Sequence, residues 1–250
     1  MGEARRIWYC TTIDVPASEV GDKEIAASTA WHKRERASAT ALIPMGVAAK
    51  HELWCRDTVL KVRFLHGTQH LHERVMNTAQ SWFLDGVRLT LRHVQEGERA
   101  DLRVAFEAQG GSWSYVGTDC LTVQPTQPTM NLGWATSDTP EVDFSSVVLH
   151  EFGHALGLLH EHVHPEARIQ WDEAAVRADL GGEPNYWDKD TIDRNVFAQF
   201  DPSVMIVHNF NESSVMMYPI AEQWTVNKKS YMPSWKLNEV DKATIRGLYG

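Results

Sequence analysis

Between residues 59 and 134 apolar and polar positions alternate in short runs, and one stretch breaks the alternation with a helical period. Val59–Leu65 alternates Lys61, Val62, Arg63 and Phe64, the period-two pattern of a half-buried strand. Val87–Val94, Leu102–Phe106 and Thr129–Trp134 predict three more strands, and Ser112–Gly117 a short edge strand. His70–Leu84 carries Leu71, Val75, Ala79, Trp82 and Phe83, which is helical spacing. Val147, Val148, Leu149, Phe152, Leu156 and Leu159 predict a buried helix, with Asp143 or Ser145 as its cap. Arg6–Ile13 has strand-like content, and Lys23–Ala41, rich in alanine and charge, reads as helical. Beyond about residue 161 strand signals thin out. Asp188–Phe200 reads as helix, and Asn238 caps a terminal helix through Val240, Ala243, Ile245, Leu248 and Tyr249. The expected class is α+β: a mixed, twisted five-stranded sheet backed by two helices, then a mostly irregular and helical part. A cleft between the two parts, floored by the second helix, is the natural substrate site.

At 250 residues the chain can bury a core as one domain or two small lobes. The expected organisation is an N-terminal extension, 1–50, of open role and a catalytic domain, 51–250, with lobes 51–160 and 161–250. A net charge of −9 argues against nucleic acid and against an acidic membrane surface. No run of about 18 apolar residues predicts a membrane span. The beginning of the chain lacks the apolar run of a secretory signal. Cys10, Cys55 and Cys120 are an odd number, which disfavours a disulfide framework and leans towards a reducing compartment. Three free or structural thiols is the reading adopted; a thiolate holding a metal in a latent form is the alternative.

Residues 150–162 read H-E-F-G-H-A-L-G-L-L-H-E-H. His150 and His154 share one helix face a turn apart, so both imidazoles can reach one zinc ion. Glu151 sits one position round the helix, where it reaches a water at the metal rather than the metal. Gly157 suits the left-handed backbone that ends a helix, and the turned chain returns His160 as a third ligand. Such a pattern arises by chance in on the order of one in ten thousand chains of this composition. Three histidines and an open position make a catalytic site rather than a structural one. His162 and His164, just beyond, read as solvated loop histidines. His66, His70 and His72 read as an ordinary loop and helix start.

H-E-x-x-H-x-x-G-x-x-H followed by a methionine turn resembles the metzincin zincins, and within them the astacins most closely, with bacterial and fungal matrixin-like relatives further off. His160-Glu161-His162 resembles the close of the astacin zinc motif. Ser214-Val215-Met216-Met217-Tyr218 resembles the S-I-M-H-Y of the astacin methionine turn. Ser112–Gly117 resembles the C-W-S-Y-V-G on the rim of the astacin cleft, with serine in place of the cysteine. Leu237–Asp241, Ile245 and Leu248-Tyr249 resemble the terminal helix. Ser203-Val204-Met205 also reads S-V-M but lacks the tyrosine. Val20-Gly21-Asp22 resembles the aspartate switch of astacin pro-segments.

The resemblance implies a metzincin fold and one catalytic Zn2+ on His150, His154 and His160. Glu151 is then the general base, and Tyr218 a distant ligand or a donor to the transition state. It implies structural support from Met216, Gly157 and Glu161, and a substrate cleft near Trp113, Ser114, Tyr115 and Trp134. The expected function is zinc-dependent endopeptidase. Two alternatives are a binding or regulatory protein that keeps its zinc site, and a zinc hydrolase of a non-peptide amide. The expected partner is a peptide or protein substrate, with the protein itself a monomer. The cysteine count favours a cytoplasmic location; the resemblance favours secretion.

Overall fold

The computed structural model describes residues 10–13, 47–49, 52–183, 185–198, 205–207 and 209–250. The readings of Lys23–Ala41 and of Val20-Gly21-Asp22 lie outside them. Two short strands come first, β1 (Cys10–Ile13) and β2 (Val47–Ala49). In β3 (Thr58–Phe64) Leu60 and Val62 are fully buried while Val59 faces solvent, the alternation a sheet with one covered face requires. Helix α1 (Gln69–Ala79) starts where the Thr68 side chain accepts from the Leu71 N–H, and buries Leu71, Val75 and Ala79. A 3-10 turn then carries Trp82 into the core. Strands β4 (Leu89–His93), β5 (Leu102–Ala105), β6 (Ser112–Tyr115) and β7 (Met130–Leu132) follow.

The five strands expected between residues 59 and 134 form a mixed sheet in the order β6-β7-β5-β3-β4. All neighbours run parallel except β6 and β7. The sheet has a sixth member. β1 pairs parallel with β6, Cys10 opposite Ser112 and Ile13 opposite Tyr115, so Ser112–Tyr115 is not an edge here.

Helix α2 (Glu141–Ala155) packs against the sheet and α1. It begins earlier than the expected caps. Pro140 holds the N-cap position with φ −53°, and Glu141 and Asp143 both lie in the first turn, where carboxylates suit the helix dipole. Ser145 donates to Glu141 (2.6 Å), which also pairs with Arg74 (2.9 Å). After α2 come α3 (Glu173–Leu180) and α4 (Lys189–Ile192), the latter running into a π-turn at Asp193–Phe197. Strand β8 (Met205–Val207) pairs antiparallel with β2, so the alternative S-V-M sequence ends in a strand. Helix α5 (Glu239–Tyr249) has the expected Asn238 cap, completed as a capping box by Asp241.

Among the described residues two large apolar cores result, beside a small cluster of Val116, Leu159 and Val163. One lies between the sheet, α1, α2 and α5; the other gathers Val176, Leu180, Ile192, Val196 and Trp224 in the C-terminal part. Met216 belongs to the first and Met217 and Tyr218 to the second, so the chain crosses between cores at the methionine turn. Among the described residues no helix is long and apolar enough to cross a membrane.

Candidate active site

The C-terminal end of α2 is built to turn sharply. Gly157 takes φ +90°, its N–H donates to the His154 carbonyl (2.8 Å) and the Leu158 N–H to the Gly153 carbonyl (3.0 Å). These two bonds are the Schellman closure of a helix. The last carbonyls, which lack partners within the helix, are met from elsewhere: Trp54 Nε1 donates to Ala155 O (2.8 Å) and the Tyr249 hydroxyl to Leu156 O (2.6 Å). Gly157 O accepts from Ala49 of β2 (2.9 Å). The chain after the turn is thereby fixed, and it brings His160 back over the helix.

His150, His154 and His160 converge as a buried cluster able to hold a metal ion. His150 Nδ1–H donates to the Val215 carbonyl and His154 Nδ1–H to the Leu158 carbonyl, each at 2.8 Å. A carbonyl only accepts, so both rings carry their proton on Nδ1 and present a bare Nε2. His160 Nε2 lies 3.1 Å from that of His150 and 3.2 Å from that of His154. Three ligand nitrogens about a tetrahedral zinc at roughly 2.0–2.1 Å stand about 3.3–3.4 Å apart, so the set fits such an ion within a few tenths of an ångström. Burial favours the neutral, ligating form of each ring. It pushes His150 down to about 4, against the pull of the bond to Val215, and holds His154 and His160 well below the usual imidazole range. Glu151, fully buried beside His150, stands outside the ligand set.

The methionine turn braces this cluster from below. The Val215 carbonyl orients His150, and the Met216 carbonyl accepts from the Glu161 N–H (2.9 Å). Met216 packs so closely on α2 that a Cβ at Gly153 would fall 2.2 Å from its sulfur. Ser214 Oγ donates to Asp241 of α5 (2.6 Å) and receives the Met216 N–H (3.0 Å), which pins the turn. The Tyr218 ring is fully buried, its centroid 5.1 Å from that of His160. Glu161 is buried too; its carboxylate accepts from the Asn211 N–H (2.7 Å), and burial raises it to about 8.

His162 and His164 are not solvated loop residues: they are 6% and 3% exposed. The His162 ring lies against His160 and Tyr218, and His164 accepts from the Glu166 N–H. Nothing in residue type or spacing signals this, because the residues that bury them come from distant segments. Among the described residues the other histidines form no second metal cluster; His72 stacks on Phe64 (4.1 Å between centroids).

On the sheet side, Trp113 and Tyr115 share the half-exposed face of β6, edge to face at 6.0 Å. Ser114 points the other way and is fully buried, donating to the Tyr115 carbonyl, so it offers no side chain to a cleft. Trp134, half-buried, stands over Gly111.

The model of the Astacin peptidase family matches residues 47–249. Two solved structures of myroilysin are similar to the chain. One has 35% identity and a TM-score of 0.78, covering 82% of this chain and 98% of that chain. The other has 30% identity and a TM-score of 0.62, covering 96% and 98%. Among curated proteins none matches the chain. With the histidine cluster and the methionine turn inside the matched span, the conclusion follows: the chain belongs to the astacin family of zinc metalloendopeptidases, and its substrates are peptides or proteins.

Proposed function

We propose that the chain hydrolyses peptide bonds with a water activated by Glu151, at a zinc ion held by His150, His154 and His160. The observation that carries this reading is the set of three Nε2 atoms facing one another in a buried site. Zinc, when bound, supplies Lewis acidity: it polarises a carbonyl oxygen and draws the pKa of water towards about 7. Glu151 accepts the proton of the attacking water and passes it to the leaving amine. Its place beside His150, outside the ligand set, suits a base rather than a ligand. Tyr218 donates its phenol to the developing oxyanion, a role its nearness to His160 favours. Met216, Gly157 and Glu161 hold the ligands in place.

An extended peptide gains affinity by adding a strand to a sheet, and β6, with Trp113 and Tyr115 on its half-exposed face, is the strand we assign to it. In the full chain β1 lies along β6. Residues 10–13 therefore hold the row of backbone groups a substrate would use, and we read the full chain as latent until that strand leaves.

Turnover of a quenched peptide by the protein freed of β1, with chelator and then with zinc restored, tests the reaction. Cleavage is expected to vanish with the metal and return with it. A zinc-loaded chain that binds peptides without cutting them, after β1 is removed, would make this a binding protein. Cleavage confined to non-peptide amides would make it a different hydrolase.

A further inference from the structure

A fourth buried imidazole adjoins the three ligands. The His162 ring centroid lies 5.2 Å from His160, 4.9 Å from Tyr218 and 6.1 Å from Trp171. Its Nε2 is 3.1 Å from the carbonyl of Asn195. That carbonyl only accepts, so Nε2 carries the proton and Nδ1 is bare; Nδ1 is buried with no hydrogen-bond partner among the described residues. A side chain kept for packing alone would be phenylalanine, which leaves no buried acceptor unmatched. The histidine makes sense through its one directed bond.

The acceptor lies in a structured segment. Asn195 sits in the π-turn at Asp193–Phe197. Asn195 is itself held, its Nδ2 donating to the Thr191 carbonyl (2.9 Å). The π-turn thus offers a fixed carbonyl to a ring that touches both the third ligand and Tyr218.

We infer that His162 is a positioning residue for Tyr218: tied to the Asn195 carbonyl, its ring holds the phenol in register with His160. The inference rests on the part given above to Tyr218 in the reaction.

A double-mutant cycle on the zinc-loaded enzyme freed of residues 1–46 tests it, with kcat and KM for a quenched peptide and bound zinc measured for each variant after identical treatment. His162→Phe keeps the ring and removes the donor. It is expected to keep zinc and KM and to lower kcat on the order of 10- to 100-fold, as a misplaced group does. Tyr218→Phe is expected to lower kcat as well, and the double variant to be no slower than Tyr218→Phe alone. If the Phe variant does not fold, His162→Gln replaces it. That variant keeps a donor for Asn195 and removes the ring, and the same non-additivity is expected. Losses that multiply in the double variant, or a His162 variant with the parent kcat, overturn the inference while Tyr218 keeps its role. A Tyr218→Phe enzyme with the parent kcat overturns both.

Discussion

A methyl group at position 153 would lie 2.2 Å from the Met216 sulfur and 3.2 Å from the Trp82 ring. Neither can retreat easily, since both are buried and Met216 lies on the turn that orients His150. Gly153→Ala is therefore expected to cost about 1–3 kcal/mol of stability by overpacking. It should also weaken zinc binding by roughly 10-fold or more through the displaced turn. Denaturation with and without zinc, and a zinc titration, check this; unchanged values would mean that Met216 does not brace the site. The ligand residues themselves are legible in the sequence, because the helical period alone fixes where His150 and His154 point. Gly157 is legible for the same kind of reason, a local φ. Gly153 is not, since its need comes from a methionine far along the chain. His162 reads as solvated in the sequence because its type is polar and its segment lacks a period; only the π-turn and Tyr218 explain its burial.

At the scale of elements, α2 is held at its C-terminal end by side chains from the far ends of the matched span. Tyr249, the penultimate residue, donates to Leu156 O and accepts from the Trp54 N–H (3.3 Å). Tyr249→Phe strands a buried carbonyl and is expected to cost about 1–3 kcal/mol. Urea denaturation of the zinc-loaded protein reads this directly, and a loss near zero would show that the helix end is held by its glycine turn alone. The strands between residues 59 and 134 and the capped terminal helix follow from alternation and from Asn238. The start of α2 does not. Asp143 and Ser145 are good caps by type, but the Arg74–Glu141 pair and the near-helical φ of Pro140 begin the helix a turn earlier.

At the scale of the molecule, the metal cluster sits where two cores meet, and the methionine turn joins them. β1 pairs along β6, the strand assigned above to the substrate. Sequence pattern indicates strand content near Ile13 but not its partner, because pairing between distant strands leaves no local period. Removing residues 1–46 is expected to raise kcat/KM on a quenched peptide by at least about tenfold, by freeing a strand for substrate. An unchanged or lower value in a folded, zinc-loaded protein would show that β1 does not block the cleft.

The most direct measurement for the account as a whole is made on Glu151→Gln, with bound zinc and peptide turnover read from the same sample after residues 1–46 are removed. Because Glu151 stands outside the ligand set, zinc should remain at one per chain, while turnover falls by about 100-fold or more for want of a base. Turnover close to that of the parent, with zinc bound, would contradict the assignment of Glu151 as the base that activates water.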